Sequence, residues 1–136
     1  MENYLYSVEI CPRGYILESP FNCMRDEVAT FRLLTSAARA FVDVDRLLSE
    51  ADLEFDSQAN LSSVREPVLI LHAEDDPIVP HELGVKLYDA CRANGVPSVR
   101  LVSFDAAKKL GHSDIYRDQD LPAILQEFVE HCLQPS

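Results

Sequence analysis

The strongest structural signal of this chain lies in Val68-Leu69-Ile70-Leu71-His72-Ala73-Glu74-Asp75-Asp76-Pro77-Ile78-Val79-Pro80. The segment opens with four aliphatic residues and no polar alternation, which is typical of a parallel strand buried on both faces. This apolar run ends at carboxylates, and a proline-bounded turn follows. We therefore predict a buried strand over Val68–His72 whose carboxyl end carries acidic side chains.

Weaker patterns on both sides of this segment predict further strands and helices. Short apolar runs predict strands over Gly14–Glu18 and Val99–Phe104. Apolar residues at helical spacing predict three helices, over residues 24–42, 80–94 and from 120 towards the C-terminus. The alternation of strands and helices favours an α/β fold with three parallel strands in a doubly wound arrangement.

Two of the predicted helices have well-defined apolar faces. In the helix that starts near Pro80, the residues expected to be buried are Leu83, Leu87, Ala90 and Cys91. In the last helix they are Leu121, Ile124, Leu125, Phe128, Val129 and Cys132. Cys91 and Cys132 are therefore expected to be free, buried thiols. The sequence contains no Cys-x-x-Cys pair, so it gives no support to a zinc or redox site.

Length and charge limit the classes of function. The chain has 136 residues, which is long enough for one domain with a core. Its net charge is −11. Without a basic stripe, neither nucleic acid nor an anionic membrane surface is an expected partner. The sequence shows no signal peptide and no apolar run of the ~18–20 residues that a membrane span needs. No cofactor is expected either.

An acid and a histidine follow two of the predicted strands. Asp75 and Asp76 come after the central strand, and His112 comes after Gly111 in the loop beyond the last strand. This order matches the acid and base of a Ser…Asp…His triad, in which the acid orients the imidazole. Either aspartate can supply the acid. The alternatives are that the aspartates stabilise a turn and that His112 is an ordinary surface histidine.

The serines of these loops make poor nucleophiles. No Gly-x-Ser-x-Gly occurs in the sequence. Gly111-His112-Ser113 resembles the first half of such an elbow, but Ile115 stands at the position of the second glycine, and a loop takes the place of the required strand and helix. Ser19 precedes Pro20 at a strand end and is expected to be a turn residue.

The other histidines are expected to have structural or surface roles. His72, at the end of the buried strand, is predicted to be a packed or hydrogen-bonded core residue, whereas His81 and His131 are predicted to be solvated. The cluster of His72 with Glu74, Asp75 and Asp76 matches no common metal-ligand spacing, so no metal site is predicted.

Several runs of residues resemble α/β-hydrolases. The run Gly14–Phe21 resembles the strand that follows the nucleophile helix in serine hydrolases of this superfamily. The run Leu69–Pro80, with Leu83-Gly84 and Lys86-Leu87-Tyr88, is similar to the branch of monoacylglycerol and lysophosphatidylserine lipases. The similarity continues through Leu121-Pro122 and residues 124–128, and it covers about two-thirds of the chain.

The resemblance implies that residues 1–136 are the C-terminal portion of one α/β-hydrolase domain, with residues 26–65 as a helical cap or connector. It implies that Asp76, in the pattern Asp-x-x-Val-Pro, is the catalytic acid and that His112 is the base. It further implies hydrolysis of a lipid ester at the endoplasmic reticulum membrane, with the serine, the oxyanion loop and a membrane anchor upstream of Met1.

The resemblance and the missing serine together make the chain an incomplete hydrolase. We expect it to show no esterase activity alone, and either to be poorly soluble or to depend on a missing N-terminal half. The strand at Gly14–Glu18 is expected to present an unpaired edge that invites aggregation or pairing with another chain. Two alternatives follow, a truncated non-catalytic isoform that acts as a binding partner and a pseudoenzyme that assembles by strand pairing. These residues alone predict a cytosolic chain.

Overall fold

A computed structural model of the chain describes residues 12–20, 61 and 63–134. The predicted helix over 24–42 and almost all of the expected cap or connector over 26–65 lie outside these described residues, as do Cys11 and Cys23. The predictions that concern them stay predictions.

The described residues form an open three-stranded parallel sheet with the order β1-β2-β3. Strands and helices alternate, as the sequence predicts, within one or two residues of the expected boundaries. The elements are β1 (Tyr15–Glu18), β2 (Val68–Ala73), α1 (His81–Ala93), β3 (Val99–Phe104), α2 (Leu121–Leu133) and two 3-10 helices, Ala106–Lys108 and Ile115–Arg117. The α/β fold with parallel strands is therefore confirmed.

Strand β2 is the centre of the sheet, and all six of its residues are buried. Its continuous aliphatic run is explained by the helices on both faces. Val68 pairs with Tyr15 on one side and with Val99 on the other, so the three strands start level. They also end close together, because the ladder continues as Ser19 N–H donates to the Leu71 carbonyl at 2.8 Å and Glu74 N–H to the Phe104 carbonyl at 2.9 Å. The loops beyond all three strands share one edge of the sheet.

Helices α1 and α2 pack on opposite faces of the sheet. Side chains alternate along β2, so Val68 and Ile70 face one layer and Leu69, Leu71 and Ala73 the other. The first set packs with α1 through Leu87 and Cys91, and the second packs with α2 through Phe128. This confirms the doubly wound arrangement in the described part of the chain. Burying one such aliphatic side chain contributes about 1.5–3 kcal/mol.

Helix α1 ends at the Asn94-Gly95 pair, as predicted. Gly95 adopts φ +76°, a left-handed conformation that favours glycine. Val96 N–H donates to the Cys91 carbonyl at 3.0 Å, and Gly95 N–H donates to the Arg92 carbonyl at 3.2 Å. These two bonds form a Schellman motif, and the buried Val96 completes it with an apolar contact to Cys91.

Several predictions of burial need correction. On the apolar face expected for α2 only Phe128 is buried, and Leu121, Ile124 and Leu125 are half-buried. Val129 was expected on the apolar face of α2, but it is 47% exposed, because the sheet covers a stripe narrower than the sequence pattern. Ala90 and Cys132 are only half-buried. Cys91 is a free, buried thiol as predicted, and burial raises its pKa. No helix in the ranges that the structure describes is long and apolar enough to cross a membrane.

Candidate active site at the carboxyl edge of the sheet

Asp76 lies in the turn after β2, where backbone groups hold its carboxylate. Its Oδ1 accepts hydrogen bonds from Ile78 N–H at 2.8 Å and Val79 N–H at 2.9 Å. This arrangement is an Asx turn, which the Asp76-Pro77-Ile78-Val79 sequence favours. Because Oδ1 is fully engaged, Oδ2 is the atom left to meet a side chain from another element.

That side chain is His112, in the loop after β3. Its Nδ1 lies 2.9 Å from Asp76 Oδ2. The Asp76 side chain is fully buried, whereas the His112 side chain is 37% exposed. The structure therefore brings together the two residues that the sequence proposed as acid and base, although they are 36 positions apart.

The backbone around His112 is held by two further contacts. Gly111 adopts φ +55°, and its N–H donates to Asp75 Oδ1 at 3.1 Å. Ser19 Oγ donates to the His112 carbonyl at 3.4 Å. Ser19 is buried and has φ +45°, a strained conformation for a residue other than glycine. Ser19 forms a bend directly after β1, and its contact with the histidine loop is a feature that the sequence did not reveal.

The two neighbouring aspartates thus have different partners. Asp75 accepts a hydrogen bond from the backbone of the loop that carries His112, and Asp76 contacts the imidazole itself. The residue pattern left open which aspartate meets the histidine, and in the structure it is Asp76.

The remaining histidines are placed as follows. His72 is fully buried, with Nε2 2.9 Å from the Val79 carbonyl, which confirms its prediction as a core residue. His131 is exposed, as predicted. His81 is half-exposed, its Nε2 lies 2.7 Å from Ser103 Oγ at the surface, and its ring meets the His72 ring edge to face at 5.4 Å. The described residues contain no group of three or more His, Cys, Asp or Glu side chains that could hold a metal ion.

Opposing effects act on the charge of Asp76. Burial would raise its pKa, but hydrogen bonds from His112, Val79 and Ile78 outweigh burial and hold the pKa of this carboxyl below its ordinary value of 3.8. Burial also lowers the pKa of His72, against the opposing influence of the Val79 carbonyl and of Asp76. The site therefore combines a carboxylate anion, a neutral buried histidine and a partly exposed histidine.

This charge pattern predicts a specific acid sensitivity. Because the pKa of Asp76 is lower in the folded state than in the unfolded state, its stabilising effect is present above pH 3.8 and is lost as the pH falls through the folded value. The free energy of unfolding of Asp76→Asn should therefore approach that of the wild type as the pH falls from 7 to below 3.8. Chemical denaturation at each pH measures the difference, with Asp89→Asn on the exposed face of α1 as control. A gap that stays constant over this range would contradict the assignment.

Gly84 on α1 is tightly packed against His72. A Cβ at this position would collide with His72 Nδ1. Alanine normally stabilises a helix by about 1 kcal/mol relative to glycine, but overpacking a core costs about 1–3 kcal/mol. We expect Gly84→Ala to destabilise the chain in thermal unfolding. In a His72→Ala background the ring is absent, so the same substitution should be neutral or stabilising. Destabilisation of equal size in both backgrounds would contradict the contact.

Comparison with known proteins supports a hydrolase relationship. No protein-family model matches the chain. The lysophosphatidylserine lipase ABHD12 of Danio rerio is 37% identical over 134 residues, which cover 88% of this chain and 34% of the relative. The lysophosphatidylserine lipase ABHD12 of Macaca fascicularis is 35% identical, covering 89% and 32% respectively. Protein ABHD12B of Homo sapiens is 33% identical over 89 residues, which cover 60% of this chain and 24% of the relative. The chain thus spans about a third of the length of the lipases that it matches.

Proposed function

We propose that this chain, which is homologous to the C-terminal part of α/β-hydrolases of the lysophosphatidylserine lipase group, supplies the acid and the base of a serine-hydrolase active site. The observation that carries the proposal is the 2.9 Å contact between Asp76 Oδ2 and His112 Nδ1. These atoms belong to loops that follow two paired parallel strands, and ligands of such sheets bind at that edge.

The geometry suits general base catalysis. Since Asp76 is an anion, His112 donates Nδ1–H to it, and Nε2 keeps its lone pair. The lone pair takes the proton of a serine hydroxyl as that oxygen attacks an ester carbonyl. The imidazolium then returns the proton to the leaving alcohol, and a water molecule releases the acyl group by the same route. The partly exposed ring of His112 leaves the second nitrogen accessible for this exchange.

The serine and the oxyanion donors come, in this proposal, from polypeptide outside the 136 residues. The sequence contains no Gly-x-Ser-x-Gly. The names of the relatives favour a lysophospholipid or similar lipid ester as the substrate, and the family resemblance favours residues 26–65 as a cap or connector and action at the endoplasmic reticulum membrane. The missing serine also supports a second candidate, a non-catalytic isoform or pseudoenzyme that binds or assembles with a partner.

A chimera distinguishes these candidates. The matching segment of the Danio rerio lipase is replaced by this chain, and hydrolysis of lysophosphatidylserine is measured in detergent micelles. We expect the chimera to hydrolyse the lipid and His112→Ala to abolish turnover. The control is Ser113→Ala, which changes the exposed neighbouring residue. A folded chimera whose activity survives His112→Ala would refute the catalytic proposal, and a folded but inactive chimera would favour the non-catalytic candidate.

The 136-residue chain by itself should not react with a fluorophosphonate probe. Loss of the nucleophile of a triad lowers turnover by about a millionfold, so esterase activity should not exceed background. Mass spectrometry of the probe-treated chain tests this expectation. Stoichiometric labelling of any serine would show that the chain carries its own nucleophile.

A further inference from the structure

His72 lies on the core side of the proposed acid, Asp76, and has no role in the mechanism above. It is the fifth residue of β2, it is fully buried, and its Nε2 lies 3.5 Å from Asp76 Oδ2. Asp76 Oδ2 therefore faces two imidazoles, one from the core and one from the partly exposed His112.

The contacts of His72 select one tautomer of its ring. Nε2 lies 2.9 Å from the Val79 carbonyl oxygen, which can only accept a hydrogen bond. Nε2 must therefore carry the proton. Nδ1 is then a bare lone pair, and it has no hydrogen-bond partner among the described residues. Nδ1 lies against the position that a Cβ on Gly84 would take. A second proton there would have no acceptor among the described residues, so a charged ring would place an unsatisfied donor in the core.

The same residues form a closed set of contacts around the carboxylate. Val79 donates its N–H to Asp76 Oδ1 at 2.9 Å and accepts from His72 through its carbonyl. His72 Nε2 lies 2.9 Å from that carbonyl and 3.5 Å from Asp76 Oδ2. It is therefore close to the carboxylate oxygen that contacts His112.

We propose that His72 is a positioning residue that holds Asp76 Oδ2 against His112 by donating its Nε2–H to the turn of residues 76–79. The catalytic meaning of this role rests on the proposed function, whereas the structural role does not. His72 does not touch a substrate. It fixes the turn that holds the acid through its hydrogen bond to the Val79 carbonyl, and Gly84 provides the space for its ring.

A pair of near-isosteric variants tests the donor role. His72→Gln keeps an N–H at a reach similar to that of Nε2, and His72→Met has similar length but no donor. The measurement is the rate at which the His112 Nδ1 proton exchanges with water, followed by NMR in the 136-residue chain. We expect His72→Gln to resemble the wild type and His72→Met to speed exchange by about tenfold, as when an average hydrogen bond is lost. Equal exchange rates in both variants would reduce His72 to a packing residue and overturn the proposal.

A measurement on the wild type covers the case in which His72→Met does not fold. The ¹⁵N shifts of the His72 ring should show a protonated Nε2 and an unprotonated Nδ1, and the opposite tautomer would overturn the proposal.

Neither NMR experiment needs catalysis. An inactive chimera alongside the expected NMR results would refute the proposed function and leave the positioning role intact. In an active chimera, His72→Met should lower kcat with little change in KM, and His72→Gln should recover it.

Discussion

Asp76→Asn is expected to lower the turnover of the active chimera by about 10⁴-fold without unfolding it. The asparagine Oδ1 still accepts from Ile78 N–H and Val79 N–H, so the turn is kept. The amide nitrogen, however, replaces the acceptor Oδ2 and donates to His112 Nδ1. The proton of the neutral ring then moves to Nε2, the atom that must be free to accept the serine proton. Steady-state hydrolysis at pH 7 measures the loss.

Asp75→Asn is the matched control for this prediction. Asparagine keeps the oxygen that accepts the Gly111 N–H, so the loop carrying His112 should stay in place. We expect a change in turnover of less than about tenfold, the effect of weakening one backbone contact. If Asp75→Asn lost as much turnover as Asp76→Asn, or Asp76→Asn lost none, Asp76 would not be the acid.

Leu87→Ala is expected to lower the free energy of unfolding of the chain by about 2–5 kcal/mol. Leu87 is fully buried on α1 and belongs to the cluster that includes Val68 and Ile70 of β2. Its truncation removes apolar contact and leaves a cavity between the helix and the sheet. Domains have only about 5–15 kcal/mol of stability in total, so the effect is large. Urea unfolding followed by circular dichroism measures it.

The control lies on the other helix. Leu133 at the end of α2 is 64% exposed, so Leu133→Ala should change the free energy of unfolding by no more than about 0.5 kcal/mol. The slope of free energy against urea concentration should stay the same in both variants, because the surface exposed on unfolding is nearly unchanged. Equal losses of stability in the two variants would mean that α1 does not pack on β2 as described.

The sequence predicted the sheet and the meeting of Asp76 with His112 for a simple physical reason. A continuous aliphatic run such as Val68–Leu71 is stable only with layers on both faces, which is typical of parallel strands. Parallel strands place their carboxyl ends together. Polar residues that follow two neighbouring strands are therefore close in space even when they are distant in sequence.

Other features of the site depend on tertiary geometry that no local pattern encodes. The Ser19–His112 hydrogen bond joins residues 93 positions apart, and the positive φ of Ser19 has no signature in its neighbours. The contact of His81 with Ser103 likewise joins the start of α1 to β3. The proximity of His72 and Asp76 could be predicted more easily from the sequence, since only three residues separate them across the end of a strand.

The choice between the adjacent residues Asp75 and Asp76 was the hardest to make from the sequence. Asp75 and Asp76 have the same chemistry and the same position relative to β2, so spacing alone could not assign the acid. In the structure the two differ in their contacts, because the Asx turn engages one oxygen of Asp76 and the other oxygen lies 2.9 Å from His112 Nδ1. The carboxylate of Asp75 meets the amide of Gly111 instead.

The contact between Asp76 and His112 is tested most directly by the ¹⁵N NMR spectrum of the neutral His112 ring in the 136-residue chain. The account predicts a proton on Nδ1, coupled to a low-field proton resonance that disappears in Asp76→Asn, and an unprotonated Nε2. A ring that carries its proton on Nε2 in the wild type, or that exchanges freely between both tautomers, would contradict it.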